Sequence, residues 1–174
     1  PLLAALTASL QIEYSLYQAW ALTWLTVMYR RRGDVGKTEH YARRGLEVSS
    51  RGGIPAQTAM AQAGLAWVAW REGDLGEVER LGQAALDSWQ RGQFVYAFHW
   101  TARLPLLAVA LKREDVPEAL DHARALLDPQ QQQLPRSLEA SLEEAIQADD
   151  EGQPEAARAH LERAIDLAQE LAFL

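Results

Sequence analysis

The chain has 174 residues, 48% of them hydrophobic, and a formal net charge of −7. That apolar content is ample for a packed core and excludes wholesale disorder, while the absence of cysteine removes disulfides, thiolate zinc sites and cysteine nucleophiles. An acidic balance argues against nucleic-acid binding, because phosphate contacts need a basic face.

The charge is uneven: residues 1–54 sum to +3, 55–113 to +1 and 114–174 to −11. The acidic last third reads as a solvated surface. No uncharged apolar run approaches the roughly 18 residues of a spanning helix; the longest, Ala19 to Tyr29, ends in Arg30-Arg31-Arg32. Basic residues do not precede an apolar run at the start, so no signal peptide is read there. A cytoplasmic protein without membrane contact is the expectation. The first residue is Pro1, which reads as a piece of a longer chain.

In chain order, residues 2–12 read as the second helix of an incomplete leading repeat. An A helix follows from about Tyr14 to Arg32, with Leu22, Leu25, Thr26 and Tyr29 on one face. Gly33-Asp34 ends it, glycine supplying a left-handed stop and aspartate an N-cap for the next helix. That B helix runs to about Ser50 and buries Thr38, Tyr41, Ala42 and Gly45. Arg51-Gly52-Gly53-Ile54-Pro55 is a break. The second pair is Pro55 to Glu72 and Asp74 to Gln90, with Leu65, Ala66 and Ala69 inside the first and Val78, Leu81, Ala85 and Trp89 inside the second.

A third A helix is expected from Phe94 to Lys112, kinked or broken at Pro105, since an interior proline removes a hydrogen bond and costs about 3 kcal/mol. Its partner starts at Asp115, with Pro117 in a permitted first-turn place, and ends at Asp128-Pro129. Gln130 to Gln133 reads as a loop. The fourth pair occupies 134–171, with Ala157, Leu161, Ala164, Ile165 and Ala168 inward. The expected fold is all-α, one continuous solenoid of helix pairs at 14–50, 55–90, 94–128 and 134–171.

The turn regions echo one another at Arg30 to Leu46, Arg71 to Gln90, Lys112 to Leu127 and Asp150 to Ile165, a period of about 40 residues that marks stacked helix pairs. Large-small patterning on the A helices, the Gly-Asp turn and the small B-helix residues (Ala119/Ala123, Ala157/Leu161/Ala164) resemble the tetratricopeptide repeat. The period exceeds that family's consensus of about 34, and Gln62, Arg103, Ser141 and Glu144 stand where apolar residues are usual. Three stretches, His99 to Leu111, His122 to Pro135 and Ala157 to Leu171, resemble the C-terminal repeat region of bacterial multidomain signalling ATPases that carry a cyclase or a LuxR-type DNA-binding domain. This implies a right-handed superhelix serving as sensor or scaffold, with no DNA contact of its own.

Gly36-Lys37-Thr38 looks like the end of a P-loop, but Arg31 stands where the motif needs glycine and no strand precedes it. His40, His99, His122 and His160 have no zinc-ligand spacing. No serine sits in a nucleophile elbow, and the carboxylate pairs Glu143-Glu144 and Asp149-Asp150 are consecutive, so each pair diverges around a helix. Neither enzyme chemistry nor a cofactor or metal is expected.

A helices line the concave wall of the superhelix that the resemblance implies. Registering the repeats on their turns directs Trp20, Arg30 and Arg31 to that wall, then Met60, Trp67 and Arg71, then Lys112. Aromatic and arginine residues dominate interface hot spots, so these seven positions are the expected contacts for a peptide or protein partner. Trp20 and Trp67 also read as core, and Arg30 and Arg31 as cations offsetting a helix C-terminus. A small effector, or a spacer role without ligand, remain the alternatives.

Overall fold

The computed structural model describes the backbone of residues 2–92 and 96–174 and the side chains of residues 14–92 and 96–174. Eight helices account for it, with no strand among the described residues: α1 (Leu2–Arg31), α2 (Val35–Arg51), α3 (Pro55–Glu72), α4 (Leu75–Gln90), α5 (Trp100–Lys112), α6 (Val116–Leu126), α7 (Arg136–Asp150) and α8 (Pro154–Glu170). The fold is all-α.

Three turns repeat one chemistry. Asp34, Asp74 and Asp115 precede α2, α4 and α6, and each carboxylate accepts the backbone N–H three residues on, at 3.0 Å. Each satisfies a donor that the first helical turn leaves open. The residue before each cap has a positive φ: Gly33 at 70°, Gly73 at 83° and, in the third turn, Glu114 at 62°. A side chain there costs about 1–2 kcal/mol. Glu114→Gly is therefore expected to raise stability by about 0.5–1 kcal/mol after glycine's own entropy cost, read as a higher urea midpoint at unchanged m.

Two expected boundaries differ. Instead of a leading helix over 2–12 and a second from Tyr14, α1 is one helix of 30 residues. No glycine or proline lies between Leu2 and Arg31, so nothing in that stretch interrupts the hydrogen-bond ladder. The expected start at Phe94 lies outside the described residues, and 96–99 forms a turn before α5 begins at Trp100.

Consecutive helices pack on one another, and α1, α3 and α5 also pack in series, α1 on α3 and α3 on α5. The close approaches fall at small residues. A Cβ on Gly82 would lie 2.8 Å from Leu106 Cγ, and one on Gly64 would lie 2.6 Å from Thr26 Cγ2. Gly82→Ala is expected to cost about 1–3 kcal/mol by overpacking, visible as a lowered Tm. Tyr41, expected inside, is half-buried and stacks on Tyr29 at 5.4 Å.

The series then changes: α5 packs on α8, and α6 touches both α7 and α8. The main core joins α5, α6, α7 and α8 to Trp67, and the closing residues Phe173 and Leu174 fold back into it. Most acidic residues of the last third, among them Glu143, Glu144, Asp150, Glu155 and Asp166, are exposed, as charge patterning requires. No helix among the described residues is long and apolar enough to cross a membrane.

Candidate binding surface

Three of the seven expected contact residues are core. Arg30 is 2% exposed, Trp67 1% and Met60 4%. Arg30 is the instructive one. Pro105 has no N–H, so the carbonyl of Thr101, four residues earlier in α5, loses its helical donor. The Arg30 guanidinium donates to that oxygen at 2.6 Å and to the Phe173 carbonyl at 2.7 Å. Its Cζ stands 5.0 Å from the Trp100 ring and 5.8 Å from Trp67. Helix α5 runs unbroken through Pro105, so the break that was one of the two expected outcomes does not occur. Burial, and secondarily Arg31, pull the Arg30 guanidinium down to about 9. It stays charged at neutral pH, and two carbonyls and two π-faces stand in for an anion.

The other four are exposed or half-exposed. Arg31 lies over the Phe173 ring at 4.0 Å. Arg71, 5.2 Å from the Trp67 ring, and Lys112, 5.5 Å from the Trp70 ring, border a groove of about 530 Å³ walled also by Leu75, Gln169 and Leu174. Among the described residues no ion pair joins Arg31, Arg71 or Lys112 to a carboxylate. Each does sit in the last turn of its helix, where a cation offsets the C-terminal dipole. A neighbouring recess of about 350 Å³ continues the groove past Lys112 to Glu162 and Asp166 on α8, so basic and acidic walls adjoin. Trp70, read only as one more A-helix tryptophan, forms the floor of both.

Trp20, 53% exposed, belongs elsewhere. With Trp24, Met60, Tyr96 and Phe98 it lines an apolar cleft of about 160 Å³, and the Trp24 ring meets Phe98 edge-on at 5.7 Å. Among the described residues, the exposed large hydrophobic ones are Tyr14, Leu16, Tyr17, Trp20 and Trp24, all on α1. The signal was present in the sequence, since no charge lies between Tyr14 and Tyr29.

Ser141, Glu144 and His160 come together between α7 and α8. His160 Nδ1 lies 3.1 Å from Glu144, but the Ser141 hydroxyl donates to the His160 main-chain carbonyl, at 2.9 Å. That geometry lacks the nucleophile-to-base hydrogen bond of a hydrolytic dyad. No group of three or more metal-ligating side chains occurs among the described residues. No family model, curated protein or solved structure matches this chain significantly.

Proposed function

We propose that this chain is a non-catalytic interaction module that binds an acidic segment of a protein partner along the groove floored by Trp70. The observation that carries it is the placement of Arg71 and Lys112: two cations without carboxylate partners among the described residues, each against a tryptophan ring, bordering one concavity. Cations beside aromatic rings become contacts that concentrate binding energy once a partner covers and desolvates them. The exposed aromatic face of α1 supplies apolar contact for a segment long enough to reach it. On this reading the helices form a right-handed solenoid of the tetratricopeptide kind, acting as the cytoplasmic sensor or scaffold end of a multidomain signalling ATPase. Fold resemblance alone would not set that role.

The test is selection of a random-peptide display library on the folded chain. Enriched peptides should be rich in Asp and Glu, and their affinity should fall as salt rises. Arg71→Glu with Lys112→Glu, both exposed positions, is expected to weaken binding at least tenfold with unchanged circular dichroism. Enriched peptides that ignore both substitutions would remove the groove from consideration.

A further inference from the structure

A separate pocket of about 330 Å³ opens on the other side of α5, between the end of α4 and the 128–131 loop. One wall is aromatic: the Trp89 ring stacks on His99 at 4.8 Å and on Tyr96 at 5.5 Å. Two opposite charges border it, Arg103 from α5 and Asp128 beyond α6. Asp121, and less strongly Asp128, act electrostatically on Arg103, yet among the described residues no ion pair joins it to either. Arg103 Nη1 lies 3.1 Å from His122 Nδ1, and its buried Nε has no partner among the described residues. The Asp128 carboxylate accepts the Gln130 N–H at 2.8 Å and is otherwise exposed.

The walls are held in place. Gln131 accepts the His99 N–H at 3.1 Å and donates to the Tyr96 carbonyl at 3.2 Å. The Gln132 N–H donates to the Ala97 carbonyl at 2.8 Å, and the Gln132 side chain accepts Trp100 Nε1–H at 3.0 Å. The glutamine run is thus a loop, as expected, and it clasps the turn before α5. A pocket fixed this way loses little entropy when filled, and its volume falls at the small end of ligand sites.

We propose that this pocket binds a free α-amino acid, carboxylate on Arg103, ammonium on Asp128 and side chain against Trp89 and Tyr96. A simple anion would face Asp128, and a simple cation would face Arg103. A ligand bearing both charges a bond or two apart satisfies both walls. The site is independent of the groove.

The test is thermal unfolding of the chain with each common L-amino acid in turn. At least one is expected to raise Tm by about 3–6 °C at ten times its Kd. Its N-acetyl and amide derivatives, each missing one charge, should lose the shift. Asp128→Asn, at an exposed position, should abolish it, and so should Arg103→Gln, which keeps a donor for His122. A Tm that no amino acid moves would overturn the proposal, as would blocked derivatives that act as well as their parent. Either failure leaves the groove reading standing.

Discussion

Arg30→Ala is expected to lower the unfolding free energy by about 3–5 kcal/mol, measured by urea denaturation. The substitution strips the Thr101 and Phe173 carbonyls of donors at 2.6 and 2.7 Å, and each orphaned buried acceptor costs about 1–3 kcal/mol. It also opens a cavity between Trp67 and Trp100. Arg30→Met separates these terms. Methionine keeps much of the stem volume and removes a cation buried without a carboxylate, which is itself expensive. Both variants strand the two carbonyls and remove the buried cation, so we expect methionine to cost less than alanine only by the cavity it fills, about 1–2 kcal/mol. Equal losses would mean that the hydrogen bonds to Pro105's stranded carbonyl and to the chain end dominate over packing.

The contrast explains what the sequence could reveal and what it could not. Turn chemistry is local, so the Asp caps and left-handed glycines placed helix ends within a few residues. Burial of Arg30 is not local. Its partners lie 71 and 143 positions away, and an arginine in the last turn of a helix ordinarily faces water. Pro105 was visible as an anomaly, but the donor that resolves it was not. Trp67 admitted both a core and a contact reading, and the core position holds because Arg30 and Arg71 flank its ring. Arg31, Arg71 and Lys112 are exposed last-turn cations that no ion pair joins to a carboxylate among the described residues. The packing of α8 on α5 had no periodic signal at all, since α7 and α8 both carry an amphipathic pattern.

That packing also bears on the groove. Were α8 absent from this position, Phe173 would not reach Arg30, Arg31 and Trp100. The concave wall expected from the repeat pattern would then be open across Trp67. As folded, the chain end fills its middle, leaving the basic groove and the aromatic cleft of α1 as two surfaces. On the proposed function, a partner segment would engage them as separate anchors, and substitutions at each should weaken binding independently.

Acid should destabilise the chain through His122. Its Nδ1 faces Arg103 Nη1 at 3.1 Å; a guanidinium only donates, so Nδ1 must accept and the ring must be neutral, with its proton on Nε2. Burial, then Arg103, push this imidazole down to about 4, and Asp121 opposes them. The unfolded ring titrates near 6.5. Between those values the unfolded chain binds the extra proton, so stability rises with pH across this window. The contribution is complete above pH 6.5 and is lost as pH falls through about 4. For a ring 7% exposed the shift corresponds to about 3 kcal/mol. His99 is also held near 4, by burial and then Arg103, but it is half-exposed, and solvent screening reduces its share. His122→Asn keeps an acceptor for Arg103 and cannot titrate. In urea denaturation at neutral pH and near pH 4, the variant's loss on acidification should be smaller than the parent's by about 2 kcal/mol. Carboxylates titrate in both chains and cancel in that difference, so equal losses would remove His122 as the acid-sensitive group.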